Sequence, residues 1–258
     1  MTTDPIADLD AGKAALAVLL ASLPGASRHR HADVGWVDSG VADAVFNGVF
    51  AGPGVGTDDA VAAVVRHFRD RGRPFHWEIG LRGGAAGAGA VLERHGLEFD
   101  ETEPAMWLGL DSLPPLPQAV PGLTIRPVTD RAMVREWVEV WGCGAPAGVT
   151  DRWYEVYANL PFGPGGPLRM FVAYLDGRPA GTVYTFVAGD VGTVHYVVTL
   201  PDLRRRGIGA ALTHQALRAA ADAGCRTAVL TASPDGIGIY RRFGFRGCGS
   251  VSTYVWSP

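Results

Sequence analysis

The segment with the clearest chemical potential is Arg204-Arg-Arg-Gly-Ile-Gly-Ala210, which follows a β-rich run and opens a predicted helix. At a helix start the free main-chain N–H groups converge on one point, and the helix dipole adds positive potential there. Gly207 and Gly209 let the main chain approach a ligand closely, because no Cβ intervenes. The arginines add charge-assisted donors. The segment therefore predicts a binding site for phosphate groups, and a pyrophosphate matches it best.

Two common glycine-rich phosphate motifs do not describe this segment. The GxGxxG fingerprint of dinucleotide-binding folds is absent here, and no acidic residue ends a following parallel strand. The GxxxxGK(S/T) loop of triphosphate-binding proteins is also absent, because the C-terminal half contains no lysine. A second interpretation stays open, in which the arginines form a solvated surface run and the glycines a tight turn.

The elements that must position this segment alternate between strands and helices. The turn signals Asp176-Gly177 and Gly189-Asp190 predict that three consecutive strands are antiparallel. A mixed sheet with helices on its faces predicts an α/β fold. The predicted strands are 123–127, 169–175, 181–188, 192–199, 227–232 and 250–256, and the predicted helices are 130–141, 150–159, 208–223 and 236–243.

A proline-rich stretch, residues 112–122, separates this region from the N-terminal half and predicts an extended linker. The N-terminal half ends like the C-terminal half, with a helix (61–71), a strand (75–80), a short helix and a closing strand (105–110). In that register Gly96 aligns with Gly244, and Leu92 with Tyr240. We therefore predict an internal duplication, with domains at 1–111 and 123–258, although a chance match is the alternative.

The glycine-rich stretches of the N-terminal half differ from the arginine-flanked segment. Gly52-Pro-Gly-Val-Gly56 precedes its long helix but has no flanking arginine, and Arg82-Gly-Gly-Ala-Ala-Gly-Ala-Gly89 comes after the strand. Neither predicts a phosphate site. We interpret His29, His31 and His67 as surface or packing residues and not as ligands of a metal site.

Composition excludes several classes of protein. Of the 258 residues, 47% are hydrophobic and 19% charged, which excludes a disordered chain. The net charge of −3 provides no global positive field for nucleic acid or an anionic membrane. Cys143, Cys225 and Cys248 are widely spaced, which argues against a disulfide framework or a zinc site. The apolar run 14–21 is shorter than the roughly 20 residues that span a bilayer. We expect a cytoplasmic protein without a metal.

The order of elements resembles the GNAT superfamily of acyl-CoA-dependent N-acyltransferases. It consists of antiparallel strands, an RxxGxG turn, a long helix, a strand and a short helix with Tyr-Arg-Arg-Phe-Gly-Phe. The resemblance covers most of residues 123–258 and is most specific in 197–210 and 239–245. It implies a mixed, mostly antiparallel sheet flanked by helices. The N-terminal half then resembles a degenerate GNAT-like domain of a tandem protein, because Leu92 stands at the position of Tyr240.

The resemblance implies that acetyl-CoA binds between two splayed parallel strands, 193–199 and 227–232. Main-chain groups of 197–199 would pair with the pantetheine arm as an added strand does, and amides of 205–210 would hold the pyrophosphate. A main-chain N–H near Val197 or Val198 would stabilise the oxyanion, and Asp235 is a further possible contact. The implied cofactor-binding residues are Val197, Val198, Thr199, Arg204, Arg205, Arg206, Gly207, Ile208, Gly209, Ala210, Ser233 and Tyr240.

Two residues are candidates for proton transfer. Tyr240 stands where the family has the acid that protonates the departing CoA thiolate, and a phenol is protonated at neutral pH. A core role is the alternative for Tyr240. Strand alternation predicts that Thr193, His195 and Val197 share a face, so that His195 is the candidate base. An ordered water, or a packed His195, is the alternative.

The resemblance implies an N-acetyltransferase that moves an acetyl group from acetyl-CoA to a primary amine of a small molecule by direct attack in a ternary complex. A non-catalytic acyl-CoA-binding regulatory module is one alternative, and an acyltransferase for hydroxyls or protein lysines is another. Trp153, Tyr154, Tyr157 and Phe162 lie in the segment that lines the acceptor site in this family. Their aromatic character suits an apolar or planar acceptor, or packing. The sequence does not assign the acceptor or the oligomeric state.

Overall fold

The computed structural model describes residues 4–51, 54–80 and 87–258, and the chain divides into two compact units. The N-terminal unit comprises Lys13–Ala105 and Cys248–Pro258, and the C-terminal unit comprises Met1–Gly12 and Met106–Gly247. These ranges differ from the predicted domains 1–111 and 123–258. Parts of the predicted glycine-rich stretches, residues 52–53 and 82–86, lie outside the described residues.

The first elements in the chain build mainly the N-terminal unit. They are α1 (Pro5–Leu20), β1 (Ser27–His31), β2 (Val34–Asp38), β3 (Gly48–Ala51), α2 (Asp58–Arg69), β4 (Phe75–Ile79), α3 (Ala88–Arg94) and β5 (Glu98–Gly109). The remaining elements are β6 (Leu123–Pro127), α4 (Arg131–Trp141), α5 (Val149–Tyr157), β7 (Leu168–Leu175), β8 (Arg178–Ala188), β9 (Val191–Thr199), α6 (Ile208–Asp222), β10 (Thr227–Thr231), α7 (Ile237–Arg242) and β11 (Arg246–Trp256). None of the helices within the described ranges combines the length and apolarity that a membrane crossing requires.

The strands of the N-terminal unit lie in the order β1-β2-β3-β4-β11-β5. β3 and β4 are parallel, whereas β1/β2, β2/β3 and β4/β11 pair antiparallel. Thr57 caps the start of α2, because its side chain accepts a hydrogen bond from the Ala60 N–H. Its apolar residues recur at helical spacing, and Val61, Val64 and Phe68 are fully buried against the sheet residues of this unit.

A buried carboxylate anchors one end of this unit. Asp38 at the end of β2 is 1% exposed. Its Oδ1 accepts hydrogen bonds from the Gly40 N–H (3.0 Å) and from Arg73 (2.7 Å), and its Oδ2 lies 3.0 Å from His67 Nε2. Burial by itself raises the pKa of Asp38, but the Gly40 N–H, Arg73 and His67 outweigh it, so the pKa lies below its ordinary value.

We predict that Asp38→Asn lowers the free energy of unfolding by about 2 kcal/mol at pH 7, because a charge-assisted network loses its charge. A carboxyl with a depressed folded pKa stabilises the fold above its unfolded pKa of about 3.8, and this contribution disappears as the pH falls through the folded value. Urea unfolding of both proteins at pH 7 and pH 3 measures the difference. The difference in the free energy of unfolding should be smaller at pH 3 than at pH 7. Equal free energies of unfolding at pH 7 would contradict the stabilising role of the Asp38 carboxylate.

The strands of the C-terminal unit lie in the order β5-β10-β9-β8-β7-β6. The predicted antiparallel run is confirmed, since β7/β8 and β8/β9 pair antiparallel, and β9 and β10 are parallel. The helices pack on opposite faces of this sheet. On β8, Thr185 donates its hydroxyl to Ala216 O of α6, whereas the ring of Tyr184 lies 6.0 Å from that of Trp137 on α4. The predicted α/β class, a sheet flanked by helices, is confirmed, and the linker 112–122 contains neither helix nor strand.

The two units share a succession of elements. In each, a strand is followed by a helix and a parallel neighbour, β3-α2-β4 in one and β9-α6-β10 in the other. A short helix and a closing strand follow. Glycines at corresponding positions have left-handed backbones in both units, with φ of 59° and 85° at Gly72 and Gly224, which precede β4 and β10, and 84° and 88° at the aligned Gly96 and Gly244. The closing strands are exchanged, because β5 lies beside β10 and β11 beside β4.

One predicted feature of β9 is wrong. Thr193 and His195 share a face as expected, but Val197 does not, because the strand contains a bulge. Tyr184 lies opposite His195 and Thr182 opposite Val198, so β9 uses one residue more than β8 over this interval. Val197 consequently packs against the core that contains α6, whereas the His195 ring lies 4.8 Å from that of Tyr184.

Candidate functional site

A cavity of 810 Å³ opens in the C-terminal unit where β9 leads into α6. Its wall consists of the end of β9, the turn before α6, the loop after β10 and α7. Every predicted site residue except Arg206 and His195 lies in this wall. The wall also contains Asp235, Gly236, Gly238, Ile239 and Arg242.

Four of these wall residues, Gly236, Gly238, Ile239 and Arg242, escaped the sequence reasoning. All of them lie on or beside the helix that carries Tyr240. Gly236 precedes Tyr240 by four residues, and Arg242 follows Gly238 by four, which are spacings that share a helix face. The helical spacing around Tyr240 could therefore have identified these wall residues from the sequence.

The turn before α6 presents main-chain donors to the cavity. The Arg204 side chain donates to Thr199 O at 3.3 Å, and Gly207 ends the turn with a left-handed φ of 87°. The first hydrogen bond of α6 runs from the Ala211 N–H to Gly207 O (3.0 Å), so the N–H groups of residues 208–210 precede the helical ladder. The dipole of this 15-residue helix reinforces these donors. Such an arrangement of donors can bind an anion.

Cationic side chains line the same cavity. The wall includes Arg204 and Arg205 from the turn and Arg242 from α7. Arg205 has a left-handed φ of 64°, which is uncommon for a residue with a side chain. Arg242 folds back along α7, so that its Nη1 lies 3.6 Å from the position that a Cβ on Gly238 would occupy. The wall therefore offers positive charge from two elements.

The glycine in the first turn of α6 keeps this site open. A Cβ on Gly209 would lie 3.2 Å from Ile239 Cδ1 on α7 and 3.7 Å from Thr199 Oγ1. A larger side chain at this position would fill the space between α6 and α7. The absence of a Cβ thus creates a cradle next to the free N–H groups.

The parallel strands separate next to the cavity. The register of β9 and β10 pairs residues 191–193 with 227–229 and, among the described residues, extends no further. Beyond this point β9 continues to residue 199 beside β8, and Val197, Val198 and Thr199 line the cavity. The separation opens a slot in the sheet between the ends of β9 and β10.

Tyr240 is held in the cavity wall by close packing. It is 7% exposed, and its ring lies 5.7 Å from that of Phe245. A Cβ on Gly236 would lie 2.9 Å from Tyr240 Cε2, so the glycine gives the ring its space. Before α7, Ser233 Oγ accepts a hydrogen bond from the Gly236 N–H at 3.3 Å. Ser233 therefore helps to fix the start of the helix that carries Tyr240.

His195 lies outside the cavity wall, on the sheet face that α4 covers. Its Nε2 is 3.0 Å from Thr193 Oγ1, and that hydroxyl lies 3.4 Å from Phe186 O, to which it donates. The Thr193 hydroxyl therefore links the imidazole of His195 to the main chain of β8.

The aromatic residues singled out in α5 and in the loop after it have different surroundings. The Trp153 ring stacks on that of Trp141 at 3.8 Å, and Tyr157 is buried next to Trp137 at 5.0 Å. The Tyr154 ring instead lies beneath the guanidinium of Arg135 at 3.8 Å. Phe162 pairs with Leu168 in an isolated β-bridge.

No group of His, Cys, Asp and Glu side chains suited to a metal ion occurs among the residues that the structure describes. The three predicted packing histidines have carboxylate, hydroxyl or ring neighbours. His31 pairs with Asp59 at 2.7 Å, and His29 lies 2.8 Å from Ser27 Oγ and packs its ring against that of His67 at 4.2 Å.

Comparisons with known proteins bear on the family and on the fold. Residues 134–245 match the model of the acetyltransferase (GNAT) family. No curated protein matches the chain. Among solved structures, a GCN5-related N-acetyltransferase from Kribbella flavida is similar with a TM-score of 0.70 at 21% identity, over 96% of this chain and 95% of that one.

Further similar structures extend over both units. One from Sphaerobacter thermophilus, also described as a GCN5-related N-acetyltransferase, has a TM-score of 0.59 at 18% identity, covering 87% of this chain and 80% of that one. A tandem GNAT protein from the clavulanic acid biosynthesis pathway has a TM-score of 0.59 at 14% identity, covering 92% and 84%. At these identities the likeness concerns the fold. Residues 134–245, which include the cavity, are therefore similar to the acetyltransferase (GNAT) family, and the solved structures share the fold of the chain.

Proposed function

We propose that the protein is an N-acetyltransferase that moves an acetyl group from acetyl-CoA to a primary amine of a small molecule, by direct attack in a ternary complex. The observation that carries this proposal is the single cavity wall shared by the N–H groups at the start of α6 and by Tyr240. The residues present suit acetyl-CoA. They offer amides and arginines for the phosphates, a cradle at Gly209, and a strand end for the amide-bearing arm.

The reaction needs two proton transfers. The amine nitrogen bonds to the thioester carbonyl carbon and the carbon–sulfur bond breaks, so the departing sulfur takes up one proton and the nitrogen loses one. Tyr240 donates the proton to the sulfur. His195, directly or through an ordered water in the slot between β9 and β10, accepts the proton from nitrogen. The N–H of Val197 or Val198 stabilises the oxyanion of the intermediate.

The N-terminal unit has a different part in this proposal. In the register of the duplication, Leu92 takes the place of Tyr240, and it is fully buried in the core of its unit. A leucine cannot donate a proton. We therefore propose that this unit is a degenerate GNAT-like domain without transferase chemistry of its own, and that residues 123–258 carry the catalytic domain.

The three cysteines suit a reducing compartment. Cys143, Cys225 and Cys248 are free thiols, and burial raises the pKa of Cys225 and of Cys248, which lowers their reactivity. We propose a cytoplasmic location on this basis.

The test of the proposed function is release of free thiol from acetyl-CoA by the purified protein. It is measured with and without a panel of small primary amines, and the acetylated product is confirmed by mass spectrometry. Amine-dependent release supports the proposal. Binding of CoA without turnover would indicate a regulatory module, and a lysine peptide or an alcohol that outcompetes every amine would indicate a different acceptor class.

We predict that His195→Gln lowers kcat about tenfold while the dissociation constant for CoA stays unchanged, because His195 lies outside the cavity wall and water can partly replace a base. The rate of thiol release at saturating amine and calorimetric binding of CoA measure the two quantities. An unchanged kcat would assign proton removal to water alone.

A further inference from the structure

The end of the proline-rich linker lies against the turn that opens α6. Val120 in this part of the linker is partly buried, and its side chain packs against the core of the C-terminal unit. A Cβ on Gly207 would lie 3.1 Å from Val120 Cγ2. A methyl group of Val120 therefore fills the space beside Gly207 in which a side chain would otherwise lie. Because Val120 lies outside the cavity wall, it contacts the turn from behind the cavity.

A tight turn fixes the position of Val120. Its carbonyl oxygen accepts a hydrogen bond from the Leu123 N–H at 3.1 Å. Pro121 and Gly122 lie between these residues, and Gly122 has a left-handed φ of 74°, which is the arrangement of a type II turn. The Gly122 carbonyl oxygen accepts a hydrogen bond from the Asp176 N–H at 3.0 Å. Since β6 begins at Leu123 and pairs with β7, Val120 is anchored to the sheet.

The turn that Val120 contacts is exposed and has an unfavourable backbone. All of its residues, 204–207, are exposed. Arg205 and Gly207 both have left-handed backbones, with φ of 64° and 87°. For a residue with a side chain, such as Arg205, this conformation persists only when the surrounding structure holds it. The Arg204 side chain joins the turn to β9 by a hydrogen bond of 3.3 Å, and Val120 joins it to the linker.

This turn sets the direction of the main-chain donors in the cavity. Gly207 caps the start of α6, and the N–H groups of residues 208–210 follow it directly. A turn that adopts other conformations moves these N–H groups away from the point on which they converge. A ligand then binds only the fraction of molecules in which the turn is formed, and its apparent dissociation constant rises by the reciprocal of that fraction. A side chain that holds the turn therefore strengthens binding without touching the ligand.

We propose that Val120 is a positioning residue for the diphosphate of the acyl donor. Its side chain holds the turn 204–207 in the conformation in which the N–H groups of residues 208–210 face the cavity. This inference rests on the proposed acetyl transfer and on its cofactor site. It makes the end of the proline-rich linker a part of the machinery that binds the acyl donor.

The experiment compares Val120→Ala with the wild type, using two acyl donors. S-acetylpantetheine has the same thioester and amide-bearing arm as acetyl-CoA but no phosphate. We expect Val120→Ala to raise the calorimetric dissociation constant for CoA and the KM for acetyl-CoA about fivefold, as when the turn is formed in about a fifth of the molecules. Two quantities should stay unchanged, kcat at saturating acetyl-CoA and kcat/KM for S-acetylpantetheine, because neither depends on the diphosphate site.

Leu116→Ala is the matched control, because Leu116 is another apolar residue of the same linker and is 78% exposed. This control should bind CoA with wild-type affinity. Val120→Thr keeps the branched shape of the side chain, so it should restore most of the affinity that Val120→Ala loses. Thermal unfolding shows whether each variant retains the fold.

An unchanged dissociation constant for CoA in Val120→Ala would overturn this inference and leave the proposed function standing. A decrease in kcat/KM that is equal for the two donors would also overturn it, because it would show a general disturbance of the fold. Wild-type protein that neither binds CoA nor transfers the acetyl group would overturn the proposed function as well.

Discussion

Tyr240→Phe should lower kcat for acetyl transfer about 100-fold or more, which is the range found when a general acid is removed. The variant deletes one oxygen and keeps the ring, whose packing against Phe245 and beside Gly236 holds α7 in the cavity wall. The departing thiolate then has to leave without a proton from the protein. The dissociation constant for CoA should change little, because the phosphates are held elsewhere.

The measurement is the rate of thiol release at saturating amine, together with calorimetric binding of CoA to the same preparation. Tyr174→Phe is the control, because it also removes a phenolic oxygen from the C-terminal unit. The Tyr174 hydroxyl donates to Glu136 at 2.5 Å, and Tyr174 is not part of the cavity wall. Full activity of Tyr240→Phe would remove the tyrosine from the mechanism and favour the core interpretation of this residue.

Gly209→Val should raise the dissociation constant for CoA about 100-fold. Gly209 has helical backbone geometry, so a valine is compatible with α6, but its Cβ would lie 3.2 Å from Ile239 Cδ1 and its methyl groups would extend further into the cradle. The diphosphate could then no longer approach the N–H groups of residues 208–210. A loss of about 3 kcal/mol corresponds to this factor.

Isothermal calorimetry measures this effect, and thermal unfolding shows that the variant is folded. Gly165→Val is the matched control, because a Cβ at Gly165 would meet nothing within 4 Å. This control should bind CoA with wild-type affinity. Equal affinities of wild type and Gly209→Val would show that the start of α6 does not hold the phosphates.

Local patterns in the sequence identified much of the C-terminal unit. The turn pairs Asp176-Gly177 and Gly189-Asp190 fixed an antiparallel run, because such turns join adjacent strands. The glycines at 207 and 224 lie at the two ends of α6, and both have a positive φ, which glycine adopts without strain. Properties that depend on residues close together in the chain could therefore be predicted from the sequence.

Properties that depend on contacts between residues far apart in the chain could not be predicted from the sequence. The exchange of the closing strands, β5 beside β10 and β11 beside β4, depends on pairing energies between segments far apart in the chain. The alternation of apolar and polar residues could not predict where the units begin and end. The reason is that each closing strand pairs with a strand from the other half of the sequence.

The bulge at Tyr196 had no local signal either. A left-handed backbone usually occurs at glycine or asparagine and can then be predicted from the sequence, whereas here a tyrosine adopts it. The bulge moved Val197 to the opposite face from His195 and separated the candidate base from the cavity wall. Packing of the Tyr196 ring onto Trp141 accompanies this conformation, and that contact joins residues more than 50 positions apart.

The most direct test of the central claim is calorimetric titration of the purified wild-type protein with coenzyme A. The claim is that the main-chain N–H groups of residues 208–210 bind its diphosphate. We predict saturable binding of one molecule per chain with a dissociation constant in the micromolar range, weakened by Gly209→Val and unaffected by Gly165→Val. No detectable binding at millimolar coenzyme A would contradict the account.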